Sequence, residues 1–413
     1  MPPPVTERVD AGLPLRTVVV DDHRWLERFA ALGRLAGPLC LLSAVYGLAM
    51  RLRNAAYDRG CLPSRRLGVP VISVGNLVAG GVGKTPIVRF LAQTLNHRGL
   101  APSEITVITR GYGNRLTQSL YRLSGQESAA LVGDEAFLLK KWLPLADILI
   151  SPDRYAAHSL IRRGCALCIL DDGFQHRALV RELDIVVASE EGPAALLPAG
   201  PGREPAASLH RAQVLWIHSR YGRPTEGQGL PEWARDFRGI VVRSHYRPGR
   251  FRPLNAPALQ ELTGEGRGGD SGLPSAMQVY ADEPNPATRQ SESRWWVVVG
   301  IANGERILEQ LSHIRMIIMG ISYFPDHHSF RSGDIAHVER LARRAGASRI
   351  LTTEKDGARL APLVQELGLE WHCLEVEVVL TEGAEVLSSL LTALLSGNVG
   401  KLNAEEMHTN IIT

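Results

Sequence analysis

The sequence predicts an α/β protein, a mostly parallel sheet with helices on both faces, followed by a smaller C-terminal α/β domain. Three observations carry this. Apolar, β-branched runs recur between helical stretches: VPVISV at 69–74, ITVIT at 105–109, DILIS at 147–151, ALCIL at 166–170, DIVVA at 184–188 and QVLWIH at 213–218. Their apolarity is continuous and not alternating, which marks strands covered on both faces. The first run leads straight into a glycine-rich turn, GNLVAGGVGKTP at 75–86, and then into a helical pattern. Finally, the composition shifts to Gly, Pro, Ser and Gln between Tyr246 and Arg294, after which WWVVVG at 295–300, RMIIMG at 315–320 and RILTT at 349–353 resume an α/β pattern.

Taken in order, the chain divides into an N-terminal region (1–54), a core (55–245), a linker or mobile insertion (246–294), a smaller C-terminal domain (295–400) and a polar tail (401–413). In the N-terminal region, Leu35 to Met50 is uncharged and is flanked by Arg28, Arg34, Arg51 and Arg53. A spanning helix wants about 20 apolar residues, so this shorter stretch with Pro38 reads as a membrane-associated helix lying in the interface or as a core helix. Its basic flanks favour an anionic cytoplasmic leaflet. After Thr85, the residues Ile87, Phe90, Leu91 and Leu95 mark one helical face, with Pro86 suited to the first turn and Gly99 to the end.

Composition limits the function. At 413 residues and 45% hydrophobic, the chain buries a large core, and a formal net charge of +3 gives no case for a nucleic-acid partner. Five scattered cysteines make no disulfide framework, and the CALC pair at 165–168 lies inside an apolar run.

A strand, a glycine turn and a helix beginning at Lys-Thr aim backbone N–H groups at phosphate oxygens, so the core reads as a P-loop NTPase-type sheet. Gly80, Gly81, Val82, Gly83, Lys84, Thr85 and Pro86 form the nucleotide-binding turn, with Lys84 on the outer phosphates and the Thr85 hydroxyl on Mg²⁺. Val78 stands where the usual pattern has its first glycine. The strand 166–170 runs into Asp171 and Asp172, carboxylates at the end where ligands bind in parallel sheets. Gln175 and His176 follow on the same loop. Further polar loops are TRGYG (109–113), GDEA (133–136), SPDRYAAH (151–158), LLPAGPGREP (196–205) and YFPDHHSF (323–330). Asp134 suits a helix N-cap as well as a catalytic role.

With these blocks in order, the chain resembles the tetraacyldisaccharide 4'-kinases, the lipid A 4'-kinases of Gram-negative bacteria. The resemblance runs from about Ala30 to Ala361 and rests on GNLVAGGVGKTP, TRGYG, GDEA, DRYAAH, DDGFQHRAL, LLPAGPGREP, FPDHHSF and TEKD. It implies ATP- and Mg²⁺-dependent phosphorylation of the 4'-hydroxyl of an acylated glucosamine disaccharide 1-phosphate, at the cytoplasmic face of the inner membrane. A monomer is favoured. By the family's pattern Asp134 accepts the hydroxyl proton and His327 orients or relays it, while Lys84 and Arg203 neutralise the γ-phosphate. Thr85 and Asp172 hold the metal with Asp171 behind them. Asn76, Tyr112, Glu135, Arg154, His176 and His328 orient substrate or support these groups. Closure across the 246–294 linker is expected to complete the site and exclude water. The chain departs from the family at Ala136, where proline is commoner, and around Ala302 and Asn303, so Arg306 takes no role.

Three other readings fit less well. A guanine-specific NTPase needs an Asn/Thr-Lys-x-Asp element, but in TTEKD Lys355 is followed directly by Asp356. A two-metal phosphoesterase using DHH needs acid and histidine clusters that residues 1–60 do not offer. A membrane adaptor leaves the P-loop and acids unexplained.

Overall fold

The expected strands form with boundaries shifted by at most three residues, and they join into one sheet. The computed structural model describes residues 6–9, 16–19, 36–80, 82–193, 195–219, 229–254, 293–300, 307–312, 314, 316–326, 328–364 and 368–397. Gly81, Arg306, His327 and most of the expected insertion therefore lie outside the described residues.

In chain order the strands are β1 (Thr6–Val9), β2 (Arg16–Val19), β3 (Val71–Gly75), β4 (Ile105–Thr109), β5 (Tyr121–Arg122), β6 (Asp147–Ile150) and β7 (Leu167–Asp171). They continue with β8 (Leu183–Ala188), β9 (Val214–Ser219), β10 (Ile240–Pro253), β11 (Arg294–Val299), β12 (Ile317–Tyr323), β13 (Arg349–Thr353) and β14 (Glu370–Glu382). Their order across the sheet is β1-β2-β12-β11-β13-β14-β10-β9-β8-β3-β7-β4-β6-β5. Pairing is parallel except at β1/β2, β10/β14 and β5/β6. The strand β3 lies centrally in its half of the sheet and is buried along its length, with β7 and β8 as its neighbours. This brings the glycine turn after β3 and the acids at the end of β7 to the same edge.

Two long strands went unpredicted, and they join the halves. In β10 the sequence IVVRSHYRPGRFRP is charged and contains prolines, which reads as a loop. Three of its four arginines are paired across to β14: Arg243 with Glu382 at 2.9 Å, Arg247 with Glu377 at 2.6 Å and Arg252 with Glu375 at 3.1 Å. Opposite charges facing each other across strands stabilise the pairing, and a bulge between Pro248 and Phe251 absorbs the proline. The linker expected from Tyr246 therefore does not begin there, because strand continues to Pro253.

The end of the chain crosses back over the first half. Helix Ala384–Leu395 contributes Leu387, Leu390, Leu391 and Leu394 to the same core as Ile87, Leu91, Leu95 and Trp216. Each fully buried leucine of this kind is worth about 1.5–3 kcal/mol. Residues of the expected 295–400 domain build two cores of their own, around Trp296 and around Trp295, while its last helix packs on the P-loop core.

Helix Ala36–Asp58 covers the expected apolar stretch and extends it. One face exposes Leu41, Leu42, Val45, Leu48 and Leu52. The other face is tied down: Ser43 donates to the Leu196 carbonyl at 2.6 Å, Tyr46 to the Arg203 carbonyl at 2.9 Å, and Asn54 to the Glu204 carboxylate at 2.7 Å. No described helix is long and apolar enough to cross a membrane.

Candidate active site

The glycine turn sits between β3 and helix Lys84–His97. Gly83 is left-handed at φ 90°, and a Cβ there would come within 2.7 Å of the Tyr246 hydroxyl. Only glycine tolerates both conditions. No side chain caps the first turn of the helix, so its N–H groups remain available for an anion. Val78, at the position that usually takes glycine, bridges Gly202, while Ala79 N–H donates to the Pro201 carbonyl at 2.6 Å. The Arg203 N–H donates to the Leu77 carbonyl at 2.8 Å. The 196–205 loop is thus strapped to the start of the P-loop by an isolated bridge and backbone hydrogen bonds, which bring Arg203 beside the glycine turn. Beneath them Asn76 is fully buried, and its side-chain amide has no partner among the described residues.

The two acids separate in role. The Thr85 hydroxyl stands 3.4 Å from an Asp171 carboxylate oxygen, and Asp171 is 1% exposed. Burial, then the neighbouring Glu135 charge, pushes the Asp171 carboxyl up to about 7. Asp172 takes a left-handed backbone at φ 58°, uncommon for a residue other than glycine. Its carboxylate accepts from Arg203 at 2.9 and 3.0 Å and pairs with Lys84 at 3.3 Å. Burial raises its carboxyl, but Lys84 and Arg203 together outweigh burial and hold it below the ordinary value. Asp171 thus faces the Thr85 hydroxyl, and Asp172 faces the cations.

A cavity of about 450 Å³ opens beside Asp172 under helix Ala36–Asp58, lined by Tyr46, Arg53, Arg110, Arg154, His176 and Arg203 among others. Arg154 is 2% exposed and donates to the carbonyls of Ser151 at 2.6 Å and Asp171 at 3.1 Å. Burial lowers it to about 10, with Asp172 and Asp171 opposing, so it keeps its charge. Burial and then Arg154 lower His176 to about 4, so the imidazole is neutral at neutral pH. Gln175 donates to the Asn76 carbonyl at 2.8 Å and closes this loop against the strand end.

Asp134 begins helix Asp134–Trp142 as its first residue, with Gly133 in the cap position at φ 85°. A Cβ on Gly133 would press into the Tyr112 carbonyl oxygen, so this glycine lets the 109–114 loop dock against the helix start. Tyr112 itself is exposed. Asp134 is 8% exposed, and its carboxylate lies 3.5 Å from Nε of Arg359. Glu135 acts in the other direction, on Asp171. His328 lies in the loop after β12. Its ring packs between Phe324 and Phe330, and its Nε2 meets the Asp334 carboxylate at 3.1 Å.

The strand β3, the glycine turn, the acids after β7 and the loops at 133–136 and 196–205 thus converge in the order that the motifs promised. The family model described as tetraacyldisaccharide-1-P 4'-kinase matches residues 35–395. The chain belongs to the tetraacyldisaccharide 4'-kinase family. The Anaeromyxobacter dehalogenans tetraacyldisaccharide 4'-kinase is 36% identical over 384 residues, covering 89% of this chain and 93% of its own. A protein of the same name from Syntrophus aciditrophicus is 35% identical over 358 residues, covering 83% and 89%. The crystal structure of LpxK from Aquifex aeolicus in complex with ATP superimposes with a TM-score of 0.64 at 26% identity, covering 87% of this chain and 99% of that one.

Within this kinase family framework, motif reading had found the phosphate and acid loops but not Arg110, Arg53 or Arg359. Arg359 had one available signal. It follows Asp356 of the TEKD block by three positions on a helix, so the two share a face.

Proposed function

We infer that this chain is an ATP-dependent lipid kinase of lipid A biosynthesis, transferring the γ-phosphate of ATP to the 4'-hydroxyl of a tetraacylated glucosamine disaccharide 1-phosphate. The carrying observation is the cluster in which Asp172 gathers Lys84 and Arg203 beside the glycine turn. Family membership selects a kinase over an NTPase coupled to a protein partner, the other use of such a loop.

In the proposed chemistry the bond between the 4'-oxygen and the γ-phosphorus forms as the bond to the β-phosphate oxygen breaks. Lys84 and Arg203 neutralise the charge on the transferring group, and Asp134 accepts the hydroxyl proton. His327 is proposed to orient or relay that proton. Arg154 and neutral His176 line the acceptor side, where neutral imidazole donates or accepts a hydrogen bond without repelling the arginines. Asn76 and Glu135 support the strand end and the buried acid.

Thr85 and Asp171 suit a magnesium ion. Both are hard oxygen donors 3.4 Å apart, and one buried Asp171 oxygen has no hydrogen-bond partner among the described residues. When bound, the ion screens the phosphate oxygens and restores the charge of a carboxylate that burial has pushed up. Asp172, paired with Lys84 and Arg203, would add a second carboxylate near the ion.

The exposed Leu41, Leu42, Val45, Leu48 and Leu52 stripe supports a peripheral seat on the cytoplasmic face of the inner membrane. The same helix roofs the acceptor cavity, so a lipid could enter from the bilayer without leaving it entirely.

The deciding experiment is transfer from γ-labelled ATP to the acylated disaccharide 1-phosphate in detergent micelles, with wild type, Lys84→Ala and Asp134→Ala. Labelled lipid from wild type and its loss in both variants is expected. Free phosphate without labelled lipid would overturn the kinase assignment.

A further inference from the structure

We propose that Arg359 is a positioning residue for phosphoryl transfer, holding Asp134 and the loop that bears His328 in one fixed relation. This rests on the assignment of Asp134 as the proton acceptor.

Arg359 lies on helix Glu354–Val364, and its side chain is 10% exposed. Its three nitrogens reach three different segments. One terminal nitrogen donates to the His328 carbonyl at 2.9 Å. The other donates to the Asp356 carboxylate at 2.7 Å and to the Gly300 carbonyl at 3.2 Å. Nε faces the Asp134 carboxylate at 3.5 Å, and the Phe330 ring lies 5.7 Å from the guanidinium carbon. Only a planar fork satisfies these directions together; a lysine ammonium offers one point.

The anchor behind the fork is itself rigid. Asp356 is fully buried and accepts from the Gly300 N–H at 2.8 Å and the Thr353 hydroxyl at 2.9 Å. Asp356 therefore already balances the guanidinium charge. The contact with Asp134 is longer than a good hydrogen bond, so it orients the carboxylate by charge. The guanidinium is not confined to the ion pair with Asp356 inside its own helix. Instead, one side chain spans from the β11 end and the His328 loop to the start of the Asp134 helix, which belongs to the other half of the sheet.

The test uses the full chain in the micelle assay with Asp134→Asn, Arg359→Gln, Arg359→Lys and the double variant Asp134→Asn/Arg359→Gln, each with its thermal midpoint. Arg359→Gln is expected to lower kcat roughly a hundredfold, with KM for ATP and lipid within about threefold of wild type. Arg359→Lys should recover part of the loss, since it keeps the charge. The double variant should be no slower than Asp134→Asn alone, because Arg359 acts through Asp134. A slow Asp134→Asn with a multiplicative loss in the double variant overturns the role of Arg359 alone. Unchanged kcat in Arg359→Gln with a lowered thermal midpoint also overturns it. Full turnover in Asp134→Asn overturns the proton-acceptor reading and the proposal with it.

Discussion

Arg203 and Asp172 form a two-point contact, one guanidinium nitrogen standing 2.9 and 3.0 Å from the two carboxylate oxygens. Lys84 approaches the same carboxylate at 3.3 Å, so one acid keeps two cations together at the mouth of the glycine turn. In the proposed chemistry a phosphate group takes the place of the carboxylate as the partner of these two cations.

Removing Arg203 should then act on the chemical step. Arg203→Met is expected to lower kcat by roughly 10²–10³-fold, the usual cost of losing one preorganised donor. Arg203→Lys should recover part of this, because a single guanidinium nitrogen makes both contacts and an ammonium supplies one such point of charge. Steady-state kinetics with saturating ATP checks it; equal activity of Arg203→Met and wild type would remove Arg203 from the phosphate side.

Gly133 should not tolerate a side chain. At φ 85° with its missing Cβ aimed at the Tyr112 carbonyl, Gly133→Ala carries both backbone strain and a clash. The expected cost is about 1–3 kcal/mol, with a loss of turnover because Asp134 moves with the helix start. Urea midpoints and turnover measured on the same preparation test this, and an unchanged midpoint would contradict the packing.

Acid should act through His176. Its folded value of about 4 lies below the ordinary histidine value of 6.5, so between these the unfolded chain binds more protons. His176 therefore contributes stability that is present above about pH 6.5 and is lost as pH falls through about 4. Its contribution is at most about 3 kcal/mol. Urea midpoints from pH 7.5 to 4 should fall less steeply in His176→Gln than in wild type. Parallel curves would show that the buried imidazole does not carry the dependence.

Membrane attachment should depend on the outward face of helix Ala36–Asp58. Val45 and Leu48 are 59% and 56% exposed, so Val45→Glu with Leu48→Glu should leave the thermal midpoint within a few degrees of wild type. Cosedimentation with anionic phospholipid vesicles should fall several-fold, since both buried apolar area and charge favour the bilayer. Asn54→Ala, on the inward face, should do the opposite: it opens a buried contact with Glu204 and costs stability by about 1–3 kcal/mol. Vesicle binding that is unchanged in the double glutamate variant would argue against this face as the anchor.

The parallel core, the glycine turn and the pair Asp171–Asp172 were legible in the sequence, because each depends on short-range patterns. Continuous apolar runs mark strands buried on both faces, and a glycine turn after a strand has few other uses. The strands β10 and β14 were not legible. Arg243, Arg247 and Arg252 look like solvated loop residues until Glu382, Glu377 and Glu375 are known to stand opposite, and those partners are more than a hundred residues away.

Fold class, family and the loops that carry the chemistry could all be read from motif identity and order, which need no knowledge of contacts. Tertiary structure alone decided that Asp171, and not Asp172, faces Thr85, because consecutive residues at a strand end point in different directions. It also decided that the last helix returns to the P-loop core and that Arg359 reaches Asp134 across 225 positions of chain. Those are questions of distance in space, which packing sets and local pattern does not encode.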